Sequence, residues 1–423
     1  MTDRSPVWHP FTQHYLAPDE INVVEASGTL LETTDGGTLI DAISSWWVVT
    51  HGHCHPRIVE AVQRQAQKLD QVIFAGFTHP SAEKLAEDLI GLAPSGLSKV
   101  FYSDSGSTAV EVALKMALGF WHNQGIKRTR IVALEHAYHG DTIGTMSAGE
   151  RGVFNAAYAP LLFDVARLPF PAPGRDGEVL DMLDQMCRSG DVAAVIVEPL
   201  VLGAGGMLMW EPLALHEMRR ITEQHDVLLI VDEVMTGWGR TGTLFASEQA
   251  EITPDILCLA KGLTGGHLPL AATLCSQAIF DAHYSPDRAK TFFHSSSYTA
   301  NPICCAAAVE NINIWKDEPV RERIEKLCQM QELAAGRLSA TGLFRNVRRC
   351  GTITAVDIEV PDSGYLAGIG PLLQRSFLER GVLLRPLGNT VYVMPPYCMT
   401  AEQLDVVYDA LEGVVSHVMK EAS

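Results

Sequence analysis

The amino-acid sequence predicts an α/β protein with a large domain built on a mainly parallel sheet. Three observations favour this fold class. The central two-thirds of the chain alternates short apolar runs with helical patterns, as βα units do. The chain has 423 residues, which at about 100–200 residues per domain predicts two or three domains. Its hydrophobic fraction of 47% and charged fraction of 19% are those of a globular protein.

Four apolar runs are candidate strands of this sheet. They are Val100–Tyr102, Ala193–Val197, Val227–Val231 and Ile256–Ala260. Each run is too short and too uniformly apolar for a surface helix, which predicts strands buried on both faces. Between two of them, Leu213–Gln224 has the apolar spacing of a helix.

The two ends of the chain have a different pattern. Residues 1–49 contain a hairpin signal, Asp35-Gly36-Gly37, between apolar runs. The C-terminal part ends in a helical pattern over Ala401–Lys420 with one apolar face. We therefore expect a large α/β domain at residues 50–310, and a different α+β pattern before it and at 311–423.

Composition argues against several classes of function. The net charge of −18 disfavours a protein that binds nucleic acid or an anionic membrane. No run approaches the roughly 18 apolar residues of a membrane span, and the N-terminal sequence MTDRSPVWHPFTQ lacks the apolar core of a signal peptide. Nine cysteines without a C-x-x-C pair indicate neither a disulfide framework nor a zinc site. We expect a cytoplasmic enzyme without a nucleic-acid or membrane partner.

Chemically versatile residues follow three of the candidate strands. Glu198 follows the first, Asp232 and Glu233 the second, and Lys261 the third. Ligands of open α/β sheets lie at the carboxyl ends of the strands, so these side chains are expected at one edge. Desolvation there would lower the pKa of Lys261 and make it an amine nucleophile. The alternatives are an ion pair between Lys261 and Asp232, or strand ends that simply reach water.

A loop after Val100–Tyr102 is a candidate phosphate site. Ser103-Asp104-Ser105-Gly106-Ser107 opens a helix, and free N–H groups at a helix start bind anions. The alternative is an ordinary N-cap by Ser105 or Ser107. The loop has neither the dinucleotide nor the P-loop glycine pattern, which also argues against a dehydrogenase.

A phosphate site, an acid and a strand-end lysine at one sheet edge suit pyridoxal phosphate. Its aldehyde needs a lysine for a Schiff base, its ring nitrogen needs an Asp, and its phosphate needs the helix start. Tyr138, in the run Glu135–Asp141, is the candidate aromatic over the ring face.

Two other groupings are ambiguous. The His51–His55 tract has the composition of a metal site. However, neighbouring side chains point apart at this spacing and the tract has no acidic residue, so no metal ion is expected. The tandem Trp46-Trp47 is unusual for a core, so we expect one indole to line a pocket, with packing as the alternative.

Longer motifs resemble the class III (omega, ornithine-type) aminotransferases. The central match is IVDEVMTGWGRTGTLFASE followed by PDILCLAKGLTGG. The matching segments are Ser105–Met116, Ala137–Gly144, Glu198–Met207, Val231–Gly242, Asp255–Gly266 and His294–Pro302. The resemblance implies a homodimer of pyridoxal-phosphate-dependent transferase fold type I, with active sites at the dimer interface. It also implies that residues 1–49 and 311–423 join into one small α+β domain.

Further motifs resemble the branch of this family that acts in biotin biosynthesis. These motifs are WHPFTQ, DAISSWWVVTHGHCHP, SDSGSTAVEVALKMA, AYHGDTIGTMS and RPLGNTVYVMPPY. The resemblance implies transamination of 8-amino-7-oxononanoate to 7,8-diaminononanoate, with S-adenosylmethionine as the expected amino donor. Members of the branch differ in whether S-adenosylmethionine or lysine is the donor.

The resemblance also implies roles for single residues around the cofactor. Lys261 should form the Schiff base and shuttle the proton, Asp232 should pair with the ring nitrogen, and Tyr138 should stack on the ring. The phosphate contacts implied by matching motif come from Gly106, Ser107, Ser296 and, toward the neighbouring subunit, Ser297. Glu198 should support Asp232 or the ring.

The implied substrate contacts lie on both chain ends and in the interface loop. Arg385 should bind the carboxylate of the oxo acid, because its planar fork matches that group. Trp46 should line the pocket, and Arg240 is a further candidate in the donor pocket. Two positions depart from the family pattern: Phe11 replaces the Tyr of W-H-P-Y-T, and the H-G-P-T loop reads His294-Ser295-Ser296-Ser297. Phe11 and Ser295 remain candidates for substrate contact.

Two rival functions follow from the same residues. The first is another omega-aminotransferase with a lysine, ornithine-like, polyamine or γ-aminobutyrate-like donor, against which Trp46-Trp47 and Arg385 argue. The second is a non-catalytic cofactor-binding protein, which the intact Lys261, Asp232 and Tyr138 disfavour.

Overall fold

The computed structural model describes residues 5–16, 20–361 and 363–421. Its strands are β1 Val23–Ser27, β2 Leu30–Thr33, β3 Thr38–Asp41, β4 Leu97–Ser103, β5 Arg130–Leu134, β6 Ala166–Leu168, β7 Val192–Val197, β8 Val201–Leu202, β9 Leu208–Met209, β10 Leu228–Asp232, β11 Ile256–Leu259, β12 Ala271–Ser276, β13 Arg345–Cys350, β14 Ile353–Asp357, β15 Val382–Leu383 and β16 Thr390–Val393.

The α-helices lie before, between and after these strands. They are α1 Ser44–Trp47, α2 Pro56–Ala66, α3 Pro80–Leu92, α4 Gly106–Asn123, α5 Ile143–Ala148, α6 Asp176–Cys187, α7 Pro212–Gln224, α8 Gln277–His283, α9 Pro302–Asp317, α10 Val320–Thr341, α11 Ile369–Leu378 and α12 Ala401–Glu421. Short 3-10 segments are Ala156–Leu161, Ala246–Glu248, Lys261–Thr264 and Arg288–Lys290. Within the described residues, no helix combines the length and apolar character that crossing a bilayer requires.

A seven-stranded sheet forms the centre of the described chain, in the order β4-β12-β11-β10-β7-β5-β6. β11, β10, β7, β5 and β6 pair in parallel, and β12 runs antiparallel to both of its neighbours. Every residue of β7 and of β10 is buried, as expected for parallel strands covered on both faces. The predicted α/β class with a mainly parallel sheet is confirmed.

The two ends of the chain meet in a second sheet, of order β1-β2-β3-β15. β3 near the N-terminus pairs in parallel with β15 near the C-terminus, with Ile40 opposite Val382. A three-stranded sheet, β13-β14-β16, completes the C-terminal part. The boundary between residues 310 and 311 falls inside α9, and the domain limits stay a prediction.

Glu233 links the end of β10 to a following loop by hydrogen bonds. Its buried carboxylate accepts hydrogen bonds from the Ala246 N–H at 2.7 Å, from the Ser247 N–H at 2.8 Å and from the Thr236 hydroxyl at 3.1 Å. Burial raises the pKa of Glu233 to about 7. The side chain therefore has a structural role, although it is adjacent in sequence to Asp232.

We expect Glu233→Ala to lower the free energy of unfolding by about 3 kcal/mol, because it leaves several buried donors without an acceptor. Urea denaturation followed by circular dichroism measures this change. The matched control is Glu332→Ala, which removes a largely exposed carboxylate near Arg349 and should change stability by less than about 0.5 kcal/mol. Equal effects of the two substitutions would contradict the structural role of Glu233.

Candidate active site

A cavity of about 600 Å³ lies at the carboxyl ends of β7, β10 and β11. This size and place are those of a small-molecule site in an open α/β sheet. The sequence-predicted residues that line it are Phe11, Trp46, Gly106, Ser107, Tyr138, Glu198, Asp232, Lys261 and Arg385. These residues come from both chain ends and from the central part, so the fold gathers most of the predicted site.

Lys261 begins the 3-10 segment that follows β11 and has a left-handed backbone, with φ of 48°. For a residue with a side chain this conformation is strained, and such strain clusters at functional sites. Its Nζ lies 4.7 Å from the centre of the Trp47 ring. Burial lowers the pKa of Lys261 to about 8, against the opposing effect of Asp232 and Glu198.

The glycine pair after Lys261 brings a second chain segment against it. A Cβ on Gly266 would lie 2.6 Å from the Val48 carbonyl oxygen, so only glycine permits this approach. The contact places the Trp46-Trp47 turn beside the lysine loop. The Trp47 indole N–H donates to the buried Tyr392 hydroxyl at 2.8 Å. Trp47 therefore lines the cavity as well as Trp46, although the sequence predicted a pocket role for one indole.

Asp232 is held by His139 rather than by Lys261. His139 Nδ1 lies 2.7 Å from Asp232 Oδ2, and the Val234 N–H donates to Oδ1 at 3.1 Å. The other ring nitrogen of His139 is buried and has no hydrogen-bond partner in the described part of the chain. Sequence reasoning missed His139, although it is adjacent to Tyr138 in the AYHG run. Its contact orients the Asp232 carboxylate toward the cavity.

Glu198 positions the segment that carries Tyr138. Its buried carboxylate accepts hydrogen bonds from the Tyr138 N–H at 2.9 Å and from the Gly203 N–H at 3.0 Å. Burial raises the pKa of Glu198 to about 7. Burial also raises the pKa of the Tyr138 phenol above its usual range, so this ring stays neutral at physiological pH. Glu198 thus supports the Tyr138 loop.

The start of α4 offers free donors to an anion. Ser105 is the N-cap and accepts from the Thr108 N–H at 3.2 Å. The N–H groups of Gly106 and Ser107 have no acceptor among the residues that the structure describes. The capping and phosphate interpretations are therefore compatible, since they use different N–H groups. A Cβ on Gly106 would lie 2.6 Å from Val234 Cγ1, which fixes the helix start beside Asp232.

An aromatic wall closes the opposite side of the cavity. It consists of Trp46, Phe11 and Phe154. The ring centre of Phe11 lies 5.6 Å from that of Trp46 and 5.9 Å from that of Phe154. The Arg385 guanidinium lies 4.5 Å from the centre of the Trp46 ring, a cation–π contact. Arg385 forms no salt bridge with an acidic side chain in the described ranges. Its one protein hydrogen bond in those ranges is a long one, 3.5 Å, to the Phe11 carbonyl. A guanidinium over an aromatic face without an acidic partner is suited to bind a carboxylate.

Arg240 lies outside the cavity wall. It is buried, and its guanidinium donates to the Pro395 carbonyl at 2.9 Å and to the Val49 carbonyl at 2.8 Å. These bonds connect the central part of the chain to both its C-terminal part and its N-terminal part. In this structure its side chain bonds to backbone carbonyls, and its contact with the donor stays a prediction.

The loop His294–Ser297 also lies outside this cavity. The Ser296 hydroxyl donates to Asp104 at 2.5 Å, and the Ser297 carbonyl accepts from the Gln71 amide at 2.8 Å. Ser295 bonds to the Ser296 carbonyl at 3.0 Å. The loop is partly exposed, and its contacts with phosphate or substrate stay predictions.

The rings of the His51–His55 tract go to separate partners. His51 Nε2 lies 2.8 Å from the Asn311 amide oxygen, and His53 Nε2 lies 2.7 Å from Asp41 Oδ2. His55 Nε2 lies 3.4 Å from Glu318 Oε1. The described residues contain no group of three His, Cys, Asp or Glu side chains placed to hold a metal ion.

The residues that line the cavity fit pyridoxal phosphate. Free N–H groups at the start of α4 suit the phosphate. The oriented Asp232 carboxylate suits the ring nitrogen, and Lys261, with its lowered pKa, suits the aldehyde. Tyr138 supplies a neutral aromatic wall.

Comparisons with known proteins agree with this geometry. The family model for class III aminotransferases matches residues 13–415. An adenosylmethionine-8-amino-7-oxononanoate aminotransferase of Synechococcus elongatus is 46% identical, over 99% of this chain and 100% of the relative. The crystal structure of an enzyme with that same name from Methanocaldococcus jannaschii has a TM-score of 0.93 at 32% identity and covers 97% of each chain. An amine transaminase from an uncultivated Pseudomonas species, solved with pyridoxal phosphate bound, has a TM-score of 0.91 at 30% identity, over 98% of this chain and 99% of the other.

Proposed function

This chain belongs to the class III aminotransferase family, and on that premise we propose that it transfers an amino group to 8-amino-7-oxononanoate. The product is 7,8-diaminononanoate, an intermediate of biotin biosynthesis, the cofactor is pyridoxal phosphate, and S-adenosylmethionine is the amino donor. The observation that carries the proposal is Arg385, which lies on the Trp46 ring without an acidic partner among the described residues, in the same cavity as Lys261. This arrangement suits a substrate with a carboxylate at one end and a reacting nitrogen or carbonyl at the other.

Pyridoxal phosphate, when bound, supplies an aldehyde that takes up the amino group and a ring that delocalises negative charge. The chain supplies the acid–base groups. With a pKa of about 8, a useful fraction of the Lys261 amine is unprotonated near neutral pH, so it can take a proton from the substrate carbon and return it. The Asp232 carboxylate is oriented by His139, and it would hold a proton at the ring nitrogen of the bound cofactor.

Aromatic side chains position the reacting groups and exclude water. The Trp47 ring, 4.7 Å from Lys261 Nζ, limits the positions of the amine. Tyr138 contacts Phe154, with ring centres 6.4 Å apart, and joins the aromatic wall to the cofactor end of the cavity. Donor and acceptor take turns in this one cavity, and Arg385 is placed for the distant carboxylate of the acceptor.

The rival within the family is an aminotransferase with another donor, such as lysine or a polyamine. A visible absorption spectrum of the purified holoenzyme separates the two. We expect the cofactor band to bleach with S-adenosylmethionine and to return with 8-amino-7-oxononanoate. If lysine bleached the band and S-adenosylmethionine did not, the amino donor would be lysine. Failure of 8-amino-7-oxononanoate to restore the band would overturn the proposed acceptor.

We also infer a homodimer in which Ser297 of one chain contacts the phosphate in the other. Exposed apolar side chains surround the loop, including Phe293 and Tyr298, and Ile73 and Phe77 lie near the Gln71 contact. Clustered exposed apolar surface of this kind is typical of an interface. All nine cysteines are free, which supports a reducing, cytoplasmic location.

A mixed-dimer experiment tests this contact. Ser297→Asp places a negative charge beside the phosphate and should reduce activity at least about tenfold, since like charges in contact repel strongly. Mixing this variant with Lys261→Ala should restore about a quarter of wild-type activity, because half of the dimers then have one site with both wild-type residues. No recovery on mixing, with mixed dimers verified by native mass spectrometry, would place Ser297 in its own subunit's site.

A further inference from the structure

Tyr365 lines the cavity but has no part in the chemistry described above. It lies in the turn Gly364–Ala367, where the Ala367 N–H donates to the Gly364 carbonyl at 3.0 Å. Its hydroxyl has no hydrogen-bond partner within the described residues. A phenol hydroxyl can donate one hydrogen bond and accept others. The side chain is therefore free to bond with a molecule in the cavity.

The turn that carries Tyr365 is anchored on the segment that carries Arg385. The Asn389 side-chain oxygen accepts from the Gly364 N–H at 2.9 Å. Gly388 has φ of 65°, and a Cβ there would lie 2.9 Å from Tyr365 Cα, so the two segments are in direct contact. The short RPLGN run therefore carries Arg385 and contacts the turn that carries Tyr365, so the two segments are adjacent at the cavity.

Tyr365 and Arg385 are the polar ends of the aromatic wall. The Tyr365 ring centre lies 4.5 Å from that of Phe154, at the edge of the series through Phe11 to Trp46, over which Arg385 lies. Between these two residues the wall presents aromatic ring surface, and the Trp46 indole N–H is its one donor. A carboxylate bound there has Arg385, Tyr365 and the Trp46 indole N–H as donors within this group.

Arg385 and Tyr365 both act on the buried Tyr392 hydroxyl. Burial raises the pKa of the Tyr392 phenol above the usual range, Arg385 opposes this shift by a smaller amount, and Tyr365 adds to it. Both groups therefore lie within electrostatic range of the same hydroxyl.

We propose that Tyr365 is a specificity-determining residue whose hydroxyl donates a hydrogen bond to the substrate carboxylate that Arg385 binds. The inference rests on the proposed function, since it requires an acceptor with a carboxylate. A carboxylate has about four acceptor positions, so a guanidinium and a phenol can bind it together. Phe11 lacks the hydroxyl that the family motif has at that position, and Tyr365 supplies a hydroxyl from a different loop of the same cavity.

Calorimetric titration of the holoenzyme with 8-amino-7-oxononanoate, without amino donor, tests the inference apart from turnover. We expect Tyr365→Phe to weaken binding of the acid about tenfold, as for loss of one hydrogen bond to a charged group. Binding of its methyl ester, which lacks the negative charge, should stay the same in both proteins. Tyr284→Phe removes a hydroxyl from an exposed tyrosine outside this cavity and is the matched control.

The outcomes separate the inference from the proposed function. Equal weakening of acid and ester by Tyr365→Phe would mean that Tyr365 acts through shape, and unchanged binding of the acid would mean that it makes no contact. Either result overturns the inference while the wild-type protein still binds and converts the acceptor. Wild-type protein that neither binds nor converts the acceptor would overturn the proposed function, and this inference with it.

Discussion

Replacing Lys261 by alanine should lower kcat by about 10⁴-fold, the upper range for loss of a group that transfers a proton in the rate-limiting step. The lysine is the amine at the end of β11, and burial lowers its pKa to about 8. No other lysine lines the cavity among the described residues. Stopped-flow measurement of each half-reaction gives the rates directly.

The Lys261→Ala protein should still fold. Alanine leaves the left-handed backbone at this position as strained as before, and the ammonium forms no salt bridge among the residues described. We expect the thermal midpoint to change by only a few degrees. Lys316→Ala, which removes an exposed ion pair with Asp88, is the control and should keep full activity.

The same variant distinguishes an enzyme from a non-catalytic cofactor-binding protein. We expect Lys261→Ala to fail to support growth of a bacterium that lacks its own enzyme for this step of biotin synthesis. Growth equal to that with wild-type protein would favour the non-catalytic alternative. Growth with wild-type protein but not with the variant is the expected pair of results.

Replacing Asp232 by asparagine should lower kcat by about 10³-fold, in the range for loss of one preorganised electrostatic contact. Asparagine has nearly the same shape, so the Val234 N–H keeps its acceptor. The negative charge that holds a proton at the ring nitrogen is lost, and His139 Nδ1 loses its carboxylate partner. The main effect should therefore be on chemistry rather than on folding.

Absorption spectroscopy and single-turnover kinetics measure this effect. The cofactor should remain bound to Asp232→Asn, because the N–H donors at the start of α4 that we propose for its phosphate are unchanged. Asp317→Asn, which alters an exposed partner of Arg57, is the matched control. A loss of less than about tenfold would mean that Asp232 does not govern the ring nitrogen.

The sequence by itself determined which strands carry the chemistry. Uniformly apolar runs identified β7, β10 and β11, and parallel strands necessarily bring their carboxyl ends to one edge. Glu198, Asp232 and Lys261 could therefore be assigned to one site without coordinates. The helix start at Gly106 could also be predicted from neighbouring residues alone, because Ser and Gly before an amphipathic run define a helix N-terminus.

The strand pattern by itself did not separate Asp232 from Glu233, which are adjacent at the end of one strand, and only the family resemblance assigned the ring nitrogen to Asp232. Alternating side chains of a strand point to opposite faces, but both faces of β10 are buried, so the pattern alone does not tell which face has the cavity. In the structure the Asp232 carboxylate contacts His139, and the Glu233 carboxylate contacts the Ala246-Ser247 loop. Glu233 has a structural role only because that loop packs against it.

Contacts between distant segments also depended on tertiary structure. Trp47, Phe154 and Tyr365 come from three separate regions, yet all line the cavity with Lys261. Arg240 shows the converse. It lies in a matching motif, but its guanidinium bonds to two backbone carbonyls and does not line the cavity. Local periodicity identifies strands and helix starts, since these depend on neighbouring residues. Which side chains share a cavity depends on how loops and chain ends pack, and that is decided by contacts hundreds of residues apart, such as the 2.8 Å bond from Trp47 to Tyr392.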